Sequence, residues 1–207
     1  VLVMGHRLPD VDSFGAAVGI YRIANTLERK AHIVLNDTTS SVQPLIDLFR
    51  NNPDYDQDMI ISGAEALDLA GSNTVLVVVD VNKPSITECP DLLKVCKNIV
   101  VLDHHRQGAE TIENATLSYV EPYASSACEM VSEILQYTHD NIKIRNEEAD
   151  CMYSGIMIDT NNFMTKTGVR TFEAAAFLRR NGADVTRVRK LFRENVDEYK
   201  AKEAAEA

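Results

Sequence analysis

Two segments, "TVLVVV" at 74–79 and "NIVVL" at 98–102, are unbroken runs of aliphatic, largely β-branched residues. A strand that is apolar on both sides must be covered on both sides, so each run predicts the middle of a sheet held between helices. Shorter runs at 1–4 ("VLVM"), 31–35 ("AHIVL") and 58–61 ("DMII") predict further strands, with "LSYV" at 117–120 another candidate. Helical patterns fill the intervals. Ala17, Ile20, Ile23, Ala24 and Leu27 form one stripe along residues 14–30, and Met130, Val131, Ile134 and Leu135 form one within 125–138. Ser62 with Glu65, and Ser126 with Glu129, have capping-box spacing. Helix is predicted again over 146–158, over 170–180 with a stop at Asn181-Gly182, and from about Val185 to Arg193. This alternation predicts an α/β fold: a mainly parallel sheet of about five strands with helices on both faces, in three α/β/α layers. In such sheets ligands bind beyond the carboxyl ends of the strands, which says where to look for chemistry.

At 207 residues the chain can bury a substantial core. One domain is expected over 1–193, followed by an Ala/Glu/Lys-rich helical linker over 194–207. The sequence lacks a starting Met and begins inside a strand pattern, as an excised domain of a longer protein would. The opening "VLVMGH" is too short and too soon polar for a signal peptide or anchor. A net charge of -10 argues against a broad surface for duplex nucleic acid. The segment from Lys166 to Arg193 runs the other way, with eight Lys or Arg against Glu173 and Asp184. It reads either as a solvated or domain-facing helix surface, or as a source of side chains for an anionic ligand. Cys89, Cys96, Cys128 and Cys151 form no C-x-x-C pair, which suits a reducing cytoplasm; Cys128 and Cys151 read as buried, inert thiols.

Four polar segments close apolar runs. "VMGHRLPDVDSFG" places His6, Asp10 and Asp12 after the first strand; the bland alternative is that Asp12 or Ser13 merely caps a helix. "VLVVVDVNKP" ends its strand on Asp80, where a carboxylate is costly unless a cation or turn hydrogen bonds meet it. "VVLDHHRQ" sets Asp103, His104, His105 and Arg106 in a row, and "YSGIMIDTNNF" carries Asp159. Carboxylates with a few imidazoles suit Mn²⁺ or Mg²⁺, or a thiolate-free Zn²⁺ or Fe²⁺ site. This many acids would leave one divalent ion outweighed, whereas two would nearly neutralise them. A pair about 3.5–4 Å apart is the standard device for phosphate ester hydrolysis.

With those motifs in place, the chain resembles the DHH phosphoesterase superfamily. "GHRLPDVDS", "VVVDVNKP", "VLDHHR" and "GIMIDTNNF" stand in that family's order and spacing over nearly the whole sequence. The superfamily includes manganese-dependent pyrophosphatases, RecJ-like exonucleases, pAp phosphatases with nanoRNase activity, and cyclic dinucleotide phosphodiesterases. The stretch from Asp159 to Phe192 looks most like the membrane-anchored cyclic-di-AMP phosphodiesterases of the GdpP type. The resemblance implies that His6, Asp10 and Asp80 hold one metal while Asp12, Asp80, His104 and Asp159 hold the other, with Asp80 bridging and Mn²⁺ the first choice. It implies that His105 faces the substrate. Asp103 would steady the histidine pair. Arg106 is a candidate phosphate clamp, with a plain surface arginine as the alternative.

The implied reaction is hydrolysis of cyclic di-AMP to pApA. A pAp phosphatase, nanoRNase or pyrophosphatase of the same superfamily is the enzymatic alternative, and a metal-binding regulatory module without turnover is the non-enzymatic one. Family enzymes grip the nucleotide with a C-terminal domain bearing a "GGGH"-like motif, and this chain contains no Gly-Gly pair. The expected partners are therefore a cyclic dinucleotide or short oligonucleotide, that C-terminal domain and a second copy in a homodimer. The expected location is cytoplasmic, with a parent protein anchored to the membrane.

Overall fold

In the computed structural model, which describes residues 1–138 and 142–206, six parallel strands form one sheet in the order β3-β2-β1-β4-β5-β6. The strands are β1 (Leu2–Met4), β2 (His32–Val34), β3 (Ile60–Ile61), β4 (Val75–Val79), β5 (Asn98–Asp103) and β6 (Leu117–Val120). The five strands expected and the further candidate at 117–120 all form. The segment 117–120 pairs with β5 as a half-exposed edge strand, Val120 opposite Asp103.

The helices are α1 (Val11–Thr26), α2 (Gln43–Arg50), α3 (Gly63–Leu69), α4 (Leu92–Val95), α5 (Ala127–Thr138), α6 (Asn146–Asp159), α7 (Val169–Arg180) and α8 (Val185–Glu206). Successive strand residues point to opposite faces and so divide the core. Val3, Ile33, Val77 and Val79 pack under α1, α2, α5 and α6. Leu2, Met4, Val34, Leu76 and Val78 pack under the short α3 and α4. Both faces are covered, but unequally. Residue 207, the last of the segment expected as a linker, lies outside the described residues, and α8 continues past 193 without a break.

The helix ends show which local rules operate. At α3, Ser62 and Glu65 complete a reciprocal capping box. At α5 only half of the expected box forms: Ser126 Oγ accepts from the Glu129 amide at 3.0 Å, while the Glu129 carboxylate accepts instead from the Thr171 hydroxyl. The stop after α7 is as expected, with Gly182 at φ 105°, where a Cβ would strike Asn146 Oδ1 at 2.1 Å.

Helix α6 is buried nearly all round, wedged between α1, α5, α7 and α8. Its two buried acids have partners. Glu148 receives Arg22 at 2.8 and 2.7 Å and the Tyr55 hydroxyl at 2.9 Å; Asp150 receives Arg187 at 2.5 and 3.1 Å. Glycines let α6 come this close. A Cβ on Gly15 would meet Cys151 O at 2.6 Å, and one on Gly155 would meet Cys128 Sγ at 2.4 Å and Asp12 Cα at 3.0 Å.

Candidate metal centre

The strand order reverses direction at β1 and β4, and a crevice opens where neighbouring connections diverge. His6, Asp10 and Asp12 follow β1, Asp80 follows β4, and Asp103 to His105 follow β5. The β4–β5 register sets Val79 opposite Leu102, so Asp80 and Asp103 leave adjacent strands at one level. Asp80 turns out of line with φ 62°, a left-handed conformation that Asp tolerates better than most residues and that often marks functional sites. Asp159 arrives differently, as the last residue of α6, carried there by the close α1–α6 contact.

These side chains converge on His104. Its Nε2 lies 3.0 Å from Asp80 Oδ1, 3.4 Å from Asp12 Oδ2 and 3.4 Å from Asp159 Oδ2. Asp12 is also held from behind, its two oxygens accepting the Ala127 and Cys128 amides at 2.8 Å each. It thus caps α5, not its own helix. The cap of α1 is Asp10, whose Oδ1 accepts the Ser13 amide at 2.8 Å; the reading of Asp12 or Ser13 as that cap is corrected. Asp12, the buried second residue of α1, is free to point across the crevice because Asp10 has taken the capping position.

The cluster is electrostatically unbalanced. Burial works to raise the Asp12 carboxyl, but the His104 contact and the Cys128 and Ala127 amides outweigh it and hold it at about 2. Asp80 is pushed far up by burial and then by the charges of Asp12, Asp10 and Asp159. Asp159 is raised to about 8 by burial and then by Asp12, against the pull of His104. Burial lowers His104, but the surrounding carboxylates raise it more. The carboxylates hold one another's protons on, as like charges sharing a site must when no cation is present. Ligands about 2.0–2.2 Å from a common ion lie roughly 3.0–3.4 Å apart, the separations seen around His104 Nε2. The donor set fits a divalent cation.

The family description "DHH family, N-terminal domain" matches residues 1–156. The chain belongs to the DHH family. It is 42% identical over 203 residues to the cyclic-di-AMP phosphodiesterase GdpP of Bacillus subtilis, covering 96% of this chain and 30% of that protein. It is 38% identical over 201 residues to the cyclic-di-AMP phosphodiesterase PdeA of Listeria monocytogenes, again covering 96% of this chain and 30% of the relative. The chain therefore spans about 30% of the length of these curated relatives. An exopolyphosphatase-related protein from Bacteroides fragilis shares the fold, with a TM-score of 0.75, 20% identity and coverage of 92% of this chain and 55% of that one.

The rest of the DHH signature is distributed around this cluster. Asp103, fully buried, lies with Asp80, His104 and His105 in a group that could hold an ion, and both of its oxygens already accept hydrogen bonds. Its Oδ1 accepts the His104 amide at 2.8 Å, the His105 amide at 3.3 Å and His105 Nδ1 at 2.7 Å, while its Oδ2 accepts Asn82 Nδ2 at 2.6 Å. With the proton on Nδ1, His105 presents Nε2 as its free nitrogen. Asn82, which also donates to His105 O at 3.3 Å, was given no role in the sequence reading, although it stands two residues after Asp80 in "DVNKP". Its contact with Asp103 depends on adjacent parallel strands, which no local pattern announces.

Among the described residues, His6 and Asp10 fall outside the tightest ligand sets. Asp10 lies close enough to Asp80 to help raise it. His6 accepts the Leu8 amide on Nδ1 at 3.2 Å and lines a cavity of about 650 Å³ with Asp80, Asn82, Lys83, His105 and Arg106. Arg106 is exposed there. All four cysteines are free and buried; burial first, then Asp12, pushes the Cys128 thiol far up, as an inert thiol requires.

Proposed function

We propose that this chain is the metal-dependent hydrolytic domain of a cyclic-dinucleotide phosphodiesterase that opens cyclic di-AMP to linear pApA. The observation that carries this reading is the convergence of Asp12, Asp80 and Asp159 on His104 at the carboxyl end of the sheet. The names of the relatives from Bacillus subtilis and Listeria monocytogenes support the substrate.

In this reading His6, Asp10 and Asp80 would hold one ion, and Asp12, Asp80, His104 and Asp159 would hold the second. Two divalent ions, Mn²⁺ foremost, supply Lewis-acid stabilisation of phosphoryl oxygens and acidify water when bound. The protein's own contribution is placement. His104 and the α5 amides together keep Asp12 ionised, the amides also fix its direction, and the sheet holds Asp80 and the DHH segment at one level. His105, with Nδ1–H held by Asp103, would as the imidazolium give its Nε2 proton to the departing 3′ oxygen and return to the neutral ring with Nε2 free. Arg106 and Lys83 line the cavity next to it and offer charge to a non-bridging phosphate oxygen.

The domain is read as residues 1–193, with the rest of α8 leading toward a C-terminal nucleotide-gripping domain, and self-association as a homodimer belongs to the same reading. A cytoplasmic location, in a parent anchored to the membrane, is supported by the free cysteines and by 34% identity to a "Membrane protein-large ribosomal subunit bL9 fusion protein" of Onion yellows phytoplasma. No helix among the described residues is long and apolar enough to cross a membrane.

A second reading, an oligoribonuclease and pAp phosphatase, is favoured by 24% identity over 192 residues to a Mycoplasma pneumoniae enzyme so named. Hydrolysis of cyclic di-AMP, pApA, pAp and pyrophosphate with added Mn²⁺ separates the two. Asp80→Ala and His104→Ala are expected to abolish cyclic di-AMP hydrolysis while leaving the far-UV circular dichroism unchanged. Turnover of pAp alone would transfer the chain to the second reading, and near-wild-type activity in either variant would undo the ligand assignment.

A further inference from the structure

A second cavity, of about 560 Å³, meets the first at His105 and is lined by His104, Asp159, Tyr123, Lys166 and Thr167. Part of its wall is the loop 160–168 between α6 and α7. That loop is backbone-strained: Asn161, Asn162 and Phe163 have φ of 47, 57 and 64°, and Lys166 has φ 57°. Left-handed backbone is unfavourable for such side chains, Phe above all, and persists only where the surroundings dictate it.

Here they do. The buried Thr160 donates its hydroxyl to Ile156 O at 2.7 Å and accepts the Phe163 amide at 2.9 Å, while its carbonyl accepts the Met164 and Thr165 amides at 2.9 Å each. At the other end Thr171 accepts the Gly168 amide at 3.0 Å and donates to Glu129, and Arg170 grips Glu133 at 2.8 and 2.6 Å. The Phe163 ring lies against Tyr153 and Phe172.

The shape so enforced sets Lys166 and Thr167 at the cavity wall. Lys166 forms no ion pair among the described residues, whereas Arg170 and Arg187 of the same basic segment are tied to Glu133 and Asp150. Across the same cavity stands Tyr123, 93% exposed on the turn after β6. A large aromatic left in water and an uncommitted ammonium, in one hollow beside a phosphoester cluster, match the two halves of a nucleotide: a stacking face and a phosphate.

We propose that this cavity is a nucleotide subsite, in which Tyr123 stacks a base and Lys166 with the Thr167 hydroxyl receives the phosphate that is not being cleaved. The inference rests on the cyclic-dinucleotide reading above, since only a substrate with a second phosphate and base would reach it. The basic segment thus divides: Arg170 and Arg187 tie α7 and α8 to their neighbours, and its first lysine serves the ligand.

The test is calorimetric binding to the chain at saturating Mn²⁺, with pApA as the probe that spans both regions and inorganic phosphate as the probe of the cluster alone. Lys166→Asn removes the charge but tolerates the left-handed backbone, and Tyr123→Leu removes the stacking face at an exposed position. Each is expected to weaken pApA about ten-fold or more, the scale of one lost base-stacking or phosphate contact, while leaving inorganic phosphate and metal stoichiometry unchanged. Tyr123→Phe and Lys166→Arg are expected to restore most of the affinity. Unchanged pApA binding in both Lys166→Asn and Tyr123→Leu would overturn the subsite while leaving the phosphodiesterase reading intact, and equal weakening of both probes would overturn it by placing these residues at the cluster. A wild-type chain that binds inorganic phosphate but not pApA would overturn the subsite in this domain, whereas the dinucleotide reading stands or falls on hydrolysis of cyclic di-AMP.

Discussion

Replacing Gly155 with alanine tests whether helix packing sets the metal centre. A Cβ at this position would lie 2.4 Å from Cys128 Sγ and 3.0 Å from both Asp12 Cα and Asp12 Oδ1. Ordinary contacts begin near 3.4 Å, so the sulfur must retreat by about 1 Å and Asp12 by a few tenths of an ångström. Two effects oppose each other in stability. Alanine is better than glycine within a helix by about 1 kcal/mol, and overpacking a tight core costs about 1–3 kcal/mol. The net destabilisation is therefore at most about 2 kcal/mol, and the variant folds.

The effect on the site is not cancelled. Asp12 is aimed by the Cys128 amide, and the accepting atom of that hydrogen bond, Asp12 Oδ1, is itself among the atoms crowded. Disturbing the groups that orient a ligand typically costs 10–100-fold in metal affinity, so Mn²⁺ binding by calorimetry is expected to fall at least about ten-fold. Gly168→Ala is the control, because nothing lies within 4 Å of its added Cβ. Adding Cys128→Ala to Gly155→Ala removes the sulfur contact and is expected to recover part of the affinity. A Gly155→Ala variant that binds Mn²⁺ as the wild type does would show that the α1–α6 contact does not position the ligands.

Three further outcomes follow from the electrostatics. Asp80→Asn is expected to raise the melting temperature of the metal-free chain at pH 8, since it removes a buried carboxyl whose ionisation burial and its neighbours oppose, while abolishing Mn²⁺ binding; a lower melting temperature would contradict this. Asp159, raised to about 8, and His104, also raised, each contribute stability at low pH that is lost as the pH rises through their folded-state values. Asp12, lowered to about 2, loses its contribution only below about pH 4. Thermal scans without metal should therefore show stability falling from pH 5 to pH 8.5 and Mn²⁺ restoring it; a rise without metal would refute the assignment. Glu148→Gln strips the counterion from Arg22 and is expected to cost about 3–5 kcal/mol in urea unfolding; a loss below about 1 kcal/mol would show that the pair is not what holds α6 to α1.

The sequence by itself determined the sheet and the carboxyl ends that bear the acids. Runs such as "TVLVVV" state locally that both strand faces are covered, and caps such as Ser62–Glu65 and Gly182 are written within a few residues. Asp80 and the Asp103–His105 run were legible for the same reason: a charged group ending a buried strand is a local anomaly. The edge strand at 117–120 was the weakest of the strand candidates, since it is half-exposed and lacks the unbroken apolar run of β4 and β5. Tertiary structure alone decided which acids meet. Asp12 aims at His104 because Asp10 takes the helix cap and the α5 amides, 115 and 116 residues away along the chain, donate to its carboxylate, which caps α5. Asn82 on Asp103, and Lys166 in one cavity with Tyr123, are likewise products of strand adjacency and of an enforced left-handed loop. The physical reason is one of range: spacing along the chain encodes hydrogen bonds and faces within a turn or a strand, whereas contacts between distant segments exist only once close packing has fixed how the elements lie against one another.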